Sequence, residues 1–550
     1  MEFGGEQEEI LVRAFSALHG FGAPHGLKVS VGIVMPPFFV DLIALPLAFT
    51  RDPVRIAAFV AVLNLLGLAL FGDLVRRLLG ARTGLWTAVL LASMPWAVLF
   101  SRKIWAQDCQ FPVVAAFLWL FFSSLERYAR WKTWLAFLAL GLLLQVYPST
   151  WFMVPPLVAF AILFRVRIRR SDALAGLALF ALLYARWIAH QIGCGFDDLA
   201  WFWHARHSPG HPAFEAGARA RETLLWPLRA TSGGGFEYEV AGVGAPAWFL
   251  AAAATGASIL FAVGWTASTI LRPGGARSLP RGEQLVVLST LVVLTLVGAG
   301  VVLRAAPVPH YAVLLHPFLA LLLVWAIGRV PSPAGSWARP AIASLALANL
   351  AFVDRFQRGV AEHPEGRPGA YGIPFAPREE HWDRRLAAGF DDVLHGEESR
   401  RASEANRAAR FAQLRDVLVH VDCARNEPAI GTQGPIEVEP SPRGLLVRGG
   451  GFLNLLVLPE FALPSGSVAE IRVRIRSPVE TNAVFLYATS GDTEISRRQK
   501  EVARVRAGTS ELFVQIPSGE LVGRVLVRVE AYRFTIEDLE VRAAPPDLRD

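Results

Sequence analysis

The sequence predicts a polytopic α-helical membrane protein with about ten transmembrane helices and a juxtamembrane helix, followed by an extracytoplasmic β-sandwich. Three observations carry this reading. The chain has 550 residues, 53% of them hydrophobic, with 16 Trp and 35 Phe, an apolar balance that soluble domains rarely reach. The long apolar runs all fall before residue 355. From about residue 430 the text alternates apolar and polar with period two, the pattern of short, half-buried strands. Three regions follow: a membrane domain over 1–354, a helical or irregular bridge over 355–429, and a sandwich over 430–545.

A bilayer core of about 30 Å asks for roughly 20 apolar residues per helix. Spans are expected near 56–73, 84–100, 108–124, 133–147, 150–165, 172–192, 246–270, 284–303, 308–328 and 337–353. Alternate short loops then differ in charge. One set holds Arg76, Arg77, Arg82, Arg127, Arg130, Lys132, Arg165, Arg167, Arg169, Arg170, Arg272, Arg277, Arg281, Arg329 and Arg339, fifteen cations; the opposite set holds five, Arg51, Arg55, Arg102, Lys103 and Arg304. The positive-inside rule puts the richer set in the cytoplasm and the C-terminal region outside. Residues 30–49, with Pro36, Pro37, Asp41 and Pro46, suit a juxtamembrane helix on the outer face better than a lipid-exposed span.

The remaining signals exclude more than they assign. The net charge of +7 is nearly all Arg, with only four Lys, and no basic aromatic surface points to nucleic acid. Cys109, Cys194 and Cys423 lack metal or disulfide spacing. The opening "MEFGGEQEEI" is acidic and has no signal-peptide core. The loop 193–245 is too polar to cross a bilayer, and its Trp201, Phe202 and Trp203 fit an interfacial belt or a sugar platform. In the bridge, "EEHWDRRLAAGF" and "ANRAARFAQLRDVLV" read as amphipathic helices. Beyond it, eight alternating runs from "IEVEP" to "IEDLEVRA" argue a sandwich of jelly-roll type. Such folds often carry glycans, but the fold alone establishes no ligand.

On this topology "SRKIWAQD" lies at the outer mouth of the second and third spans, on the same face as Glu6, Glu8, Glu9, Asp52, Tyr147, Arg304, His310 and Tyr311. Ionisable groups at a membrane edge are expensive and often functional. Each also has a plainer reading. Arg102 and Lys103 suit snorkelling anchors, Asp108 a helix cap, Trp105 interface packing, His310 a satisfied loop residue, and Glu6 to Glu9 a solvated helix start.

The segment "LLASMPWAVLFSRKIWAQD" resembles the "SPW…SR…(D/E/N)" stretch of the glycosyltransferase family 39-like proteins, GT-C membrane enzymes related to aminoarabinose transferases and protein O-mannosyltransferases. "MPPFFVDLIALPLAFTRDP" resembles their proline-led juxtamembrane helix, "VRRLLGARTGLWTAVLLA" their next cytoplasmic turn, "EFGGEQEEILVRAFSAL" their first external loop, and "PHYAVLLHPFLALLL" their late Tyr-to-Pro span. The likeness runs over about 2–328. It departs at two places: the usual first transmembrane helix is expected upstream of this start, and the usual Asp-Glu pair reads Glu6-Gln7.

The resemblance implies a GT-C-like fold and transfer of a sugar from a polyprenyl-phosphate donor to a lipid, glycan or protein acceptor outside the bacterial cytoplasmic membrane. It makes Glu6 the first candidate base, with Glu9 and Glu8 behind it. Arg102, Lys103 and Arg304 would meet the carrier phosphate; Asp108, Tyr147, His310, Tyr311 and Trp105 would meet other parts of the substrates. The carboxylates suit a divalent cation as well as a proton, and the sequence does not choose between the two. A lipid-linked glycan polymerase or ligase uses the same chemistry. A transporter tends to place its charges nearer the midplane, in related halves that this sequence does not display.

Overall fold

The computed structural model describes residues 5–20, 25–27, 33–193, 196, 222–232, 245–272, 275–302, 309–330, 338–362, 379–433, 436–448, 455–464, 467–478, 481–487, 500–516, 525–529, 531 and 533–545. The chain divides into two compact units. One comprises Met1–Leu27, Met35–Ile188 and Ala216–Val393; the other comprises Lys28–Val34, Ala189–Glu215 and Leu394–Asp550.

The first unit opens with α1 (Gly5–Leu18). Gln7, Ile10, Leu11, Ala14 and Phe15 are buried, the three- and four-residue spacing of one helix face. This face packs on α2 (Phe38–Leu47), the short helix at the expected juxtamembrane position. Asp41 of α2 accepts a hydrogen bond from Arg186 at 3.0 Å. Next comes α3 (Pro53–Leu79), where Asp52 caps the start by accepting from the Val54 amide at 2.8 Å. Its end is Gly80, at φ +96°, a left-handed backbone that glycine adopts without penalty.

The expected span 84–100 is two helices, α4 (Ala81–Ser93) and α5 (Pro95–Phe100). The break falls at Met94, extended at φ −60° and ψ 125°, because a residue before proline is pushed out of the helical region. A 3-10 turn, Ala106–Cys109, leads into α6 (Gln110–Glu126). α7 (Arg130–Val146) is followed by a second such turn, Pro148–Met153, and then α8 (Val154–Leu163). After α9 (Arg170–Gly193) come α10 (Trp226–Ser232), α11 (Ala245–Leu271) and α12 (Arg281–Val302). A 3-10 turn, Gly275–Ser278, lies between α11 and α12, and another, Pro309–Leu315, enters α13 (His316–Ile327); α14 (Ala338–Glu362) and α15 (Glu379–Gln413) complete the helices.

Five stretches among the described residues are long and apolar enough to cross a bilayer: Pro53–Leu79, Ala106–Glu126, Arg170–Gly193, Ala251–Leu271 and Arg281–Val302. The apolar helices Phe38–Leu47, Pro148–Leu163 and Ala312–Ile327 are shorter. The protein is a multi-pass membrane protein. α13 is buried on every side from His316 to Ala326 and forms the centre. α9 instead exposes Leu174, Leu177 and Leu182, as a lipid-facing helix does.

The arginine-rich end of this bundle is tied together. Asp73 accepts from Arg76, Arg77 and the Trp119 indole at 2.6, 3.0 and 2.9 Å. Arg77 also donates to Glu126 at 3.1 Å, Arg281 to the Leu125 carbonyl at 3.3 Å, and Arg329 to Glu283 at 2.5 Å. Asp172 accepts from Trp134 at 3.2 Å and from the Tyr128 hydroxyl.

The second unit carries two antiparallel sheets. In chain order the strands are β1 (Val417–Val421), β2 (Gly431–Gln433), β3 (Glu437–Ser441), β4 (Gly444–Arg448), β5 (Leu455–Val457), β6 (Val468–Ser477), β7 (Thr481–Leu486), β8 (Lys500–Val505), β9 (Gly508–Ile516), β10 (Leu526–Val529) and β11 (Arg533–Ala544). One sheet runs β3-β4-β11-β6-β9, with β1 also on β11; the other runs β2-β5-β10-β7-β8. Val447, Ile471 and Val541 of the first sheet share one buried core with Leu456, Phe485 and Val527 of the second. Sequence reading differs from this at one boundary. "RDVLV" was expected to end a helix, but α15 stops at Gln413, and Val417–Val421 is a strand paired with β11. Its alternating valines suit that pairing better than a helix face.

Helix contact in the membrane unit relies on missing side chains. A Cβ at Gly67 of α3 would lie 2.7 Å from the Pro112 backbone of α6, whereas one at Gly264 meets nothing within 4 Å. Gly67→Ala should destabilise the detergent-solubilised protein by roughly 1–3 kcal/mol, the usual cost of overpacking. Gly264→Ala should be neutral. Equal thermal midpoints for the two variants would refute the close α3–α6 contact.

Candidate active site

α5 ends at Phe100 and leaves a stretch of non-helical backbone, Ser101–Trp105, before the turn Ala106–Cys109. Freed backbone at membrane depth must find partners. The partner here is Asn64, a buried amide on α3. Its Nδ2 donates to the carbonyls of Val60, Ser101 and Asp108 at 3.0, 3.2 and 3.0 Å. One side chain thus anchors both ends of the stretch that holds Arg102, Lys103, Trp105 and Asp108.

Within the stretch, Lys103 does not snorkel; it is 1% exposed. Its Nζ lies 4.8 Å from the ring centroids of both Phe100 and Trp105, contacts that stabilise a desolvated ammonium. Arg102 is half-buried, and its Nε has no hydrogen-bond partner among the described residues. Asp108 is 1% exposed, so it is more than a surface cap, and its amide donates to the Trp105 carbonyl at 3.1 Å. Trp105 is half-buried.

The 3-10 turns at 106–109, 148–153 and 309–315 and the short helices α5 and α10 meet here. The turn at 309–315 packs against α5, α6, α10, α13 and the turns at 106–109 and 148–153. Tyr147, buried, enters the second turn in extended conformation, and its carbonyl accepts from Thr150 Oγ1 at 2.7 Å. Gln110, at the start of α6, accepts from Ser149 at 3.0 Å through Oε1. Its own Nε2 is buried without a partner among the described residues, as are Trp226 Nε1 and His316 Nε2. The His316 ring meets Trp96 of α5 edge to face at 6.3 Å.

The acidic candidates belong to α1. Glu6 is exposed and Glu8 half-buried, while Glu9 pairs with Arg13 of the same helix at 2.8 Å. Gln7, not a carboxylate, occupies the buried face. Asp52 is taken up by its capping bond and by Arg55 at 3.3 Å. Arg304, Trp201, Phe202 and Trp203 lie outside the described residues, as do the side chains of His310 and Tyr311. Among the described residues no three His, Cys, Asp or Glu side chains are grouped to hold a metal.

Asn64, Gln110, Trp226 and His316 escaped the sequence reading. Only Asn64 had a signal: it is the sole strongly polar residue in the apolar run from Ile56 to Gly72.

Residues 33–190 match the family model described as dolichyl-phosphate-mannose-protein mannosyltransferase. The match over this segment agrees with the family resemblance carried by the sequence motifs. Among solved structures, ArnT from Cupriavidus metallidurans bound to undecaprenyl phosphate is similar at 13% identity and a TM-score of 0.43, covering 74% of this chain and 76% of that one. The Archaeoglobus fulgidus oligosaccharyltransferase, in complex with Zn and sulfate, gives 14%, 0.40, 69% and 53% in the same order. Arabinosyltransferase EmbB from Mycobacterium smegmatis gives 13%, 0.31, 99% and 64%. A search of curated proteins finds no match.

Asn64→Leu strips the Ser101 and Asp108 carbonyls of their anchor, at roughly 1–3 kcal/mol for each buried group left unsatisfied. Amide hydrogen exchange over 101–109 should then rise while α3 stays protected. Unchanged exchange across that stretch would show that Asn64 anchors nothing.

Proposed function

We propose that the protein transfers a hexosyl or pentosyl group from a polyprenyl-phosphate donor to a lipid, glycan or protein acceptor on the outer face of the bacterial cytoplasmic membrane. The observation that carries this is a set of buried N–H donors with no partner among the described residues, Arg102 Nε, Gln110 Nε2 and Trp226 Nε1, together with the ring nitrogen His316 Nε2, on segments that pack together. Buried donors without partners are costly and call for an acceptor. A phosphate offers several strong acceptor oxygens at once. The family match over 33–190 includes the stretch that bears Arg102 and Gln110.

In the reaction the acceptor oxygen bonds to the anomeric carbon as the bond from that carbon to the phosphate oxygen breaks. The bonding pair leaves on the phosphate, and a carboxylate takes the acceptor proton. Arg102, Lys103 and Arg304 stabilise the charge that develops on the leaving phosphate. Glu6 is the base. Glu9 and Glu8 are the next candidates. Asp108, Tyr147, His310, Tyr311 and Trp105 contact the rest of donor and acceptor, and a divalent cation would share the carboxylates if one is needed.

The fifteen-to-five division of loop cations supports a cytoplasmic arginine-rich end, ten spans and an external sandwich. The strand orders β4-β11-β6-β9 and β5-β10-β7-β8 support a jelly roll for that sandwich.

The test is transfer by membranes supplied with radiolabelled polyprenyl-phosphate sugars. Label should move to an acceptor with wild-type protein. Arg102→Ala should lose more activity than Arg102→Lys, since a guanidinium fork pairs with phosphate as an ammonium cannot. Full activity in both variants would remove Arg102 from the phosphate site. Glu6→Gln should bind donor normally and turn over about 10²–10⁴-fold more slowly, the usual loss of a general base. If Glu6→Gln turns over like wild type, the base lies elsewhere. Label that never leaves its carrier, whatever acceptor fraction is added, would sink the transferase reading.

A further inference from the structure

The β-sandwich carries a cleft of about 830 Å³, walled by His420, Asp422, Arg443, Arg476, Glu537 and Asp538. We propose that this cleft is a binding site for a neutral oligosaccharide. It stands apart from the transfer chemistry above and does not rest on it.

The cleft is built by an irregularity. β11 pairs regularly with β6 except between Ile536 and Asp538, where the register shifts. Ile536 and Leu539 both stay in the core, so the extra residue brings Glu537 and Asp538 side by side into the wall. Bulges often re-aim side chains at sites in this way. From the neighbouring β1, His420 and Val421 pair with Glu540 and Leu539, and the chain then turns away at Asp422. The turn is fixed: the Asp422 amide donates to the Glu427 carbonyl at 2.7 Å, and Asp422 Oδ1 accepts from the Ala424 amide at 3.0 Å. Cys423 behind it is buried, and its thiol is pushed up to about 12 by that burial and by the charges of Asp538 and Asp422. It is thus an inert wall residue and offers no reactive thiolate.

The charge pattern selects the ligand. Glu537 is held by Arg476 at 2.5 Å, Asp538 by Arg472 at 2.6 Å, and Asp422 faces Arg425 at 3.6 Å. Each carboxylate is already opposed by a guanidinium, which leaves Arg443 as one further cation at the rim, so the cleft offers no free carboxylate cluster to a cation and only a single screened positive charge to an anion. What remains are spare lone pairs and N–H groups on planar side chains of fixed orientation: a carboxylate has about four acceptor sites and a guanidinium five donors. Vicinal hydroxyls, which donate and accept together, match such groups. The walls offer only Val421, Ala424 and Pro442 as apolar surface, too little for a hydrophobic ligand, and the space is within the usual range of roughly 300–1,000 Å³ for a ligand site.

The experiment uses the full-length protein in nanodiscs and three probes: mannopentaose, maltopentaose and an arabinofuranose pentamer. At least one should give saturable binding by saturation-transfer NMR. Asp422→Asn and Arg443→Ala, both at exposed rim positions, should each weaken it about tenfold, the loss of one charge-assisted hydrogen bond. Their thermal midpoints should match wild type. Arg102→Ala should bind the same probe normally, which separates this site from the transferase site. The proposal is overturned if none of the probes binds, or if both rim variants bind like wild type. It is equally overturned if calcium alone raises the midpoint of wild type but not of Asp422→Asn, because the cleft is then a cation site.

Discussion

The stretch that carries Arg102, Lys103 and Asp108 depends on one buried amide. A helix broken inside a membrane leaves carbonyls with no intrahelical partner, and hydrocarbon supplies none. The end of α5 at Phe100 starts such a stretch, and Asn64 answers it with bonds to Ser101 and Asp108. The strand of backbone between those two carbonyls is held by its ends, so its side chains are presented from a fixed base. A polar residue in the middle of α3 is costly by itself. Here the cost is offset because the alternative is two buried carbonyls left unsatisfied.

The two ends of the bundle treat charge differently. At the arginine-rich end, Asp73, Glu126, Asp172 and Glu283 each have a donor from a separate segment or from the next helical turn. That end reads as a clasp between helices. At the other end a lysine is buried against two aromatic rings, and Arg102 Nε, Gln110 Nε2 and Trp226 Nε1 are buried without acceptors among the described residues. The sandwich repeats the contrast on a smaller scale: its cleft is lined by ion pairs that are closed to one another but still carry spare hydrogen-bonding capacity.

The sequence by itself determined the class of fold. Hydrophobic run length marked the membrane helices, period-two alternation marked most strands of the sandwich, and a proline-rich stretch marked α2, because these signals are local and recur along the chain. The loop around Arg102 was legible for the same reason: costly residues stood out against an apolar background. Tertiary structure decided what no local pattern encodes. The helix break at Met94 was hidden inside a continuous apolar run, and β1 was hidden inside a segment whose helical text ran on. Gln110 and His316 looked like ordinary helix residues and Trp226 fell in the polar loop expected over 193–245, since whether a buried polar nitrogen has a partner depends on what other segments bring to it. The partner of Asn64 lies 37 and 44 residues away. A hydrogen bond of that reach exists only once the helices have packed.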